Sequence, residues 1–245
     1  MFYDLDDPNL FVSYIKETLD KDGIFIIQLS YLPLMIKNLN FYDICNEHLE
    51  YYSLRTLNFL MNKHGLDIYD SVENNVNGGS ILVSISHTGI KEKTQRFNEL
   101  LNYENTLNLY DIKTYQHFSN EITNLKNKVI DYIERNIKES KQIIGLGAST
   151  KGNMLLQLFG INKKMLPYIS EKNPEKVGLR TLGTDIELIS EDSARKMKPS
   201  CMLVLPWYFK EEIIDRERNF INEGGVLLFP MPYVHIVEMS GEQRL

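Results

Sequence analysis

The sequence predicts an α/β protein in two parts with a Rossmann-like second half, and three observations predict it. After residue 141 short apolar runs alternate with helical stretches, the order that gives parallel strands and right-handed crossovers. The first run, Gln142-Ile143-Ile144, leads into a turn punctuated by Gly145, Gly147 and Gly152, and then into an apolar helix from Met154 to Phe159. Between the halves, Tyr103 to Glu139 is polar but carries Phe118, Ile122, Leu125, Val129, Tyr132 and Ile133 at helical spacing. That stripe predicts one long helix bridging two lobes, with a coiled-coil partner site as the weaker reading because sustained heptads are absent.

Taken in order, the elements begin with Asp6-Asp7-Pro8, a helix start with carboxylates at the positive end and proline in the first turn. Phe11, Tyr14, Ile15 and Leu19 recur on that helix, and Lys21-Asp22-Gly23 stops it. Ile24 to Leu29 is a continuous apolar run, which predicts a strand buried on both faces. A second helix starts at Ser53, with Leu54, Leu57, Leu60 and Met61 on one face and Gly65 as terminator. Leu66 to Val72 and Ser80 to Ser86 alternate as strands around Asn77-Gly78-Gly79, a turn of residues tolerant of positive φ. In the second half, Met165 to Ile169, Cys201 to Leu205 and Val226 to Phe229 are buried strands. Phe209 to Asn222 is an amphipathic helix ended by Gly224-Gly225.

Bulk properties narrow the function classes. The 245 residues are 43% hydrophobic and 24% charged, enough apolar material for a core. A net charge of -6 is wrong for a general nucleic-acid binder, which needs clustered excess cations. Cys45 and Cys201 cannot build a disulfide framework or a four-cysteine zinc site, and no metal site is expected. No apolar run approaches the roughly 20 residues of a membrane helix, and the start lacks a signal peptide's order. A soluble, cytoplasmic protein with reduced thiols is expected.

The glycine turn carries the clearest chemistry. A strand-to-helix turn collects backbone N–H groups and the positive end of a helix dipole, which suits an anion. Lys151 adds a charge there, and Ser149 and Asn153 add hydrogen-bonding groups. Thr150 stands where a dinucleotide fingerprint has glycine, and Asn153 follows Gly152 where a Walker A loop needs lysine. A phosphate-bearing ligand and a tight turn with packing glycines both remain open readings.

Gly147-Ala148-Ser149-Thr150-Lys151-Gly152-Asn153 resembles the Gly-Ala-x-x-Lys-Gly-Asn loop of the sugar C-methyltransferase family. Further segments agree in order: Asn46 to Ser53, His64-Gly65-Leu66, Asn77 to Ser80, Glu171 to Gly178, Gly183 to Ile186, Leu203 to Ile213 and Gly224 to Pro230. The resemblance implies S-adenosylmethionine as cofactor and a nucleotide-linked keto-deoxy-sugar of the dTDP type as substrate. It also implies an incomplete class I methyltransferase lobe followed by a Rossmann-like C-terminal domain, joined by a long helix. Residues 1–100 would be the end of the methyltransferase domain, 101–140 the bridging helix and 141–245 the nucleotide-sugar-binding domain. Gly145, Gly147, Ser149, Lys151 and Asn153 would then cradle the diphosphate, with Asn173 and Lys176 nearby.

By the same resemblance Glu47 and His48 fall on the family's Glu-His pair. Methylation of a carbon beside a ketone requires loss of an α-proton, and a histidine titrating near neutrality suits that task. His48 would be the base, and Glu47 would support it or bind a sugar hydroxyl. Cys45 stands where the family usually has tyrosine. The zinc-binding and cofactor-binding motifs of relatives have no counterpart before Asp6, and Met1 aligns late in the methyltransferase domain. The expectation is an enzyme portion that needs a partner chain with the cofactor-binding half. The alternative is a non-catalytic nucleotide-sugar-binding or interaction protein.

Overall fold

A computed structural model describes residues 2–245, and the chain divides into two units, one running to Ser119 and the other spanning Asn120–Leu245.

The first unit opens with helix α1 (Pro8–Thr18), whose cap Asp7 accepts a hydrogen bond from the Leu10 amide at 2.9 Å. Strand β1 (Phe25–Ser30) and the short helix α2 (Leu32–Lys37) follow. Helix α3 (Leu54–Lys63) starts in a capping box between Ser53 and Thr56 and is closed by Gly65 at φ +73°. Strands β2 (Leu66–Asn74) and β3 (Ser80–His87) form an antiparallel hairpin whose turn holds Asn77, Gly78 and Gly79 at positive φ. β1 pairs antiparallel with β3, giving the order β1-β3-β2 over a core that includes Val12, Leu57, Met61, Ile68, Val83 and Ile85.

Two expectations for this unit need correction. The apolar run at Ile24 to Leu29 is not a strand buried on both faces but a sheet margin, with Ile24 and Ile26 exposed. Hydropathy alone cannot report which neighbours a strand has. Nor is Tyr103 to Glu139 one helix. Helix α4 (Gln95–Thr106) ends before Asn108, which takes φ +51°, and a separate helix α5 (Ile112–Lys138) follows. Phe118, Leu125, Val129 and Ile133 of the apolar stripe are buried along α5.

The second unit is a seven-stranded sheet with helices between its parallel strands. Its elements are β4 (Ile143–Leu146), α6 (Thr150–Phe159), β5 (Tyr168–Glu171), β6 (Glu187–Ser190), α7 (Glu191–Lys196) and β7 (Cys201–Val204). α8 (Lys210–Arg216), α9 (Arg218–Asn222), β8 (Val226–Phe229), β9 (His235–Glu238) and β10 (Gly241–Arg244) complete it. The order is β10-β9-β8-β7-β4-β5-β6; β9 and β10 are antiparallel and the rest parallel. Numbered along the chain, the parallel strands lie third-second-first-fourth-fifth, the order of a doubly wound nucleotide-binding sheet. Ile144, Leu146, Leu203, Val204, Leu227 and Leu228 are fully buried at its centre.

The boundaries of this unit differ from the sequence pattern in three places. β5 starts after Pro167 rather than at Met165, because proline donates no ladder hydrogen bond. The helix from Phe209 to Asn222 is broken at Glu217, whose fully buried carboxylate holds Arg195 at 2.9 Å and Arg216 at 3.1 Å. β6, β9 and β10 carry too few apolar residues to stand out.

Candidate functional site

The glycine turn occupies the carboxyl end of β4, between β4 and the start of α6, where the strand order reverses between β4 and β7. In an open parallel sheet this is where a crevice forms. The glycines are there for space. A side chain on Gly145 would come within 2.7 Å of Ile169, one on Gly147 within 2.9 Å of Pro206, and one on Gly152 within 2.6 Å of the Leu205 Cβ. Gly147 also needs φ +75°. Ser149 caps α6, its Oγ accepting from the Gly152 amide at 3.0 Å.

Glu171, a residue with no role expected from the sequence, closes the turn. It stands at the carboxyl end of β5 and is 7% exposed. Its Oε2 accepts from the Ala148 amide and its Oε1 from the Asn173 amide, both at 2.8 Å. The Lys176 ammonium donates to the Ala148 carbonyl at 3.1 Å. Ala148, Glu171, Asn173 and Lys176 therefore form one latch, and the Ala148 amide is engaged by a carboxylate. The signal for Glu171 was its position: an acidic residue about 20 residues past the glycine turn, at the end of the next strand.

Lys151 lies with its ammonium 5.3 Å from the centre of the Tyr208 ring, a cation–π contact. The Asn153 Oδ1 is buried with no hydrogen-bond partner among the described residues. An orphan acceptor of this kind is costly without a donor.

Glu47 and His48 belong to the first unit, in an irregular turn between α2 and α3. They do not hydrogen-bond to one another. Glu47 is exposed and hydrogen-bonds the Cys45 thiol, which burial first and this carboxylate second push above the ordinary thiol range. The His48 imidazole packs against the Tyr3 ring with centroids 4.3 Å apart. The Tyr3 carbonyl accepts from the Leu49 and Glu50 amides at 2.9 and 3.2 Å, so the start of the chain fixes this turn. Tyr51, whose hydroxyl burial holds above its usual range, reaches the Asp43 carbonyl at 3.4 Å.

Two clefts lie elsewhere. One of about 660 Å³ in the first unit is lined by Arg55, Glu104, Asn108 and Tyr110. One of about 940 Å³ in the second unit is lined by Arg195, Lys198, Met202, Arg216 and Gly225, at the amino ends of β7 and β8. The glycine turn is at the opposite end of the same sheet. Neither cleft includes a site residue expected from the sequence. Among the described residues, no cluster of three or more His, Cys, Asp or Glu could hold a metal ion, and no helix is long and apolar enough to cross a membrane.

Strand order, glycine turn and acidic strand end define a Rossmann-like α/β unit. The chain belongs to the C-methyltransferase C-terminal domain family, whose profile matches residues 75–232. It is similar to the C-methyltransferase NovU of Streptomyces niveus, at 28% identity over 245 residues. That match takes in 100% of this chain but 58% of the relative, so the chain spans little more than half of that protein's length.

Proposed function

We propose that this chain is the C-terminal portion of an S-adenosylmethionine-dependent C-methyltransferase acting on a nucleotide-linked keto-deoxy-sugar, with the cofactor held outside the residues described. The observation that carries the reading is the glycine turn at the reversal of strand order, inside the residues matched by the family profile. In this reading the first unit is the closing part of a class I methyltransferase lobe, and α5 leads from it into the nucleotide-sugar domain.

The second unit binds the nucleotide end of a dTDP-type substrate. Gly145, Gly147 and Ser149 let the backbone approach, Lys151 and Lys176 bring positive charge to the diphosphate, and Asn153 and Asn173 add hydrogen-bonding groups. In the first unit His48, held by the Tyr3 ring, removes the proton from the carbon beside the ketone, and Glu47 binds a sugar hydroxyl.

S-adenosylmethionine would supply the methyl group. The described residues of the first unit do not fit it, because their adjacent glycines, Gly78 and Gly79, close a β-hairpin against Tyr42 and Leu34 rather than a strand-to-helix turn. Its binding is therefore placed outside the described residues. The Cys45 thiol in place of a family tyrosine favours a second reading, a nucleotide-sugar-binding protein without turnover.

Calorimetric titration with dTDP and with S-adenosylmethionine, separately, tests the reading. Binding of dTDP alone supports it, and tight binding of S-adenosylmethionine would overturn the assignment of the cofactor to another portion. Lys151→Ala should weaken dTDP binding about tenfold, the loss of roughly 1.4 kcal/mol of a charged contact. An unchanged affinity refutes the phosphate role. In an enzyme reconstituted with a cofactor-binding portion, His48→Ala should lower the rate about 10²- to 10⁴-fold. A full rate would remove His48 from the chemistry, and no turnover with the wild-type chain would favour the second reading.

A further inference from the structure

The function proposed above leaves unused the cleft at the amino ends of β7 and β8. Its volume of about 940 Å³ falls at the upper end of the roughly 300–1,000 Å³ of small-molecule sites. Among the described residues that line it, Lys141, Arg195, Lys198 and Arg216 are cations and Glu223 is the one carboxylate. Pro199, Met202 and Phe220 add an apolar wall. Ligands of open parallel sheets collect at the other, carboxyl end, so this charge has a different cause.

Two structural needs use part of the charge and leave a surplus. The buried Glu217 carboxylate needs a cation, and it has two, Arg195 and Arg216. The other contact of Arg216, from Nη1 to Glu191, is long at 3.5 Å. Glu217 is 0% exposed while the side chains of Arg195 and Arg216 are 44% and 35% exposed, so the carboxylate lies behind and the guanidiniums face solvent. α7 and α9 also end at this cleft, and the carbonyl end of a helix attracts cations. Those carbonyls are already satisfied by backbone. Ala194 and Arg195 accept from the Met197 and Lys198 amides, and Asn219, Phe220 and Ile221 from those of Glu223, Gly225 and Gly224. Lys141 pairs with Glu139, but both are half-exposed, and such pairs yield readily to a competing anion. Lys198 holds a left-handed φ of +50°. Its ammonium, the Ser200 hydroxyl and the Asn219 side-chain amide have no hydrogen-bond partner among the described residues.

We infer that this cleft is a second ligand site, for a phosphate ester with an apolar body, at the end of the sheet opposite the glycine turn. A guanidinium offers five N–H donors in a fixed fork, and Arg195 spends only Nη2 on Glu217. Glu217 thus holds both arginines in place while leaving donors that match the oxygens of a phosphate. Lys198, Ser200 and Asn219 supply the remaining donors. Inorganic phosphate would leave the wall of Pro199, Met202 and Phe220 and most of the volume unused, which is why the ligand is an ester. The site stands whether or not the glycine turn holds a nucleotide-linked sugar.

The test follows backbone amide chemical shifts of the labelled chain during titration with phenyl phosphate and, separately, with inorganic phosphate, at about 150 mM salt. Phenyl phosphate should give saturable shifts at residues 198–202 and 223–226 with a Kd of about 1 mM or below. Inorganic phosphate should bind at least about threefold more weakly, for want of the apolar contact. Lys198→Asn, a residue that tolerates the left-handed backbone, should raise the Kd for phenyl phosphate about fivefold. Glu223→Gln should lower it about twofold by removing a repelling charge, and Lys151→Ala should leave it unchanged. Arg195 and Arg216 are kept, since losing either would strand the Glu217 carboxylate. No saturation by about 10 mM, shifts confined to residues 145–153, or inorganic phosphate binding as tightly as the ester would each overturn the site. So would a loss of affinity in Lys151→Ala equal to that in Lys198→Asn. Because the two lysine variants report on opposite ends of the sheet, failure here is distinct from failure of dTDP binding at the glycine turn.

Discussion

Gly152 sits against Leu205, and its reading from sequence and from structure diverge in a useful way. The motif marked it as part of an anion cradle, whereas the packing shows that α6 could not lie so close to the end of β7 with a side chain there. Gly152→Ala should cost about 1–3 kcal/mol, the usual penalty for overfilling a tight site. A urea midpoint equal to wild type would refute this. Glu104 was not legible at all, since a carboxylate on a polar helix reads as a solvated residue. It is 4% exposed, and its two oxygens accept from the Leu54 and Arg55 amides and from the Tyr31 hydroxyl. Glu104→Ala would strand those donors and should destabilise the first unit by about 3 kcal/mol, whereas Glu104→Gln, which keeps an acceptor, should cost less. Equal losses in thermal denaturation would contradict that account.

At the scale of elements, local chemistry was read well and long-range neighbours were not. Asp7, Ser53 and Gly65 announced the ends of α1 and α3 because caps act within a few residues. Ser53→Ala should lower stability by about 1 kcal/mol, with a smaller fall if Thr56 still satisfies the cap. The break between α4 and α5 rests on Asn108 in a left-handed conformation, and an apolar stripe counted only by spacing runs straight through it. β1 was found but misassigned, because its composition belongs to a sheet interior and its position to a margin. β9 is held by pairing with β8, and β10 by pairing with β9, rather than by any pattern of their own.

For the whole chain, pH acts on the second unit through His235. Its side chain is 1% exposed and stacked on Phe229 at 5.0 Å, with Nδ1 donating to the Tyr233 carbonyl. Burial holds its pKa below the ordinary 6.5; the Tyr233 carbonyl opposes that shift and the Lys210 ammonium adds to it. The folded state therefore binds this proton less readily than the unfolded one. The stability is complete above 6.5 and is lost as pH falls through that value toward the depressed folded one. Thermal midpoints should be flat above about pH 7 and fall as the pH drops below about 6.5, and His235→Phe should flatten that slope. A slope unchanged in the variant would place the titrating group elsewhere.

The latch around Glu171 has a consequence for how ligands meet the turn. Both carboxylate oxygens and the Lys176 ammonium already hold residues 148 and 173 in place. The ordering entropy of this loop is therefore borne when the unit folds, and association does not wait on a rearrangement. Arrival should be fast and single-step in stopped flow, and selectivity should reside in how long a ligand stays.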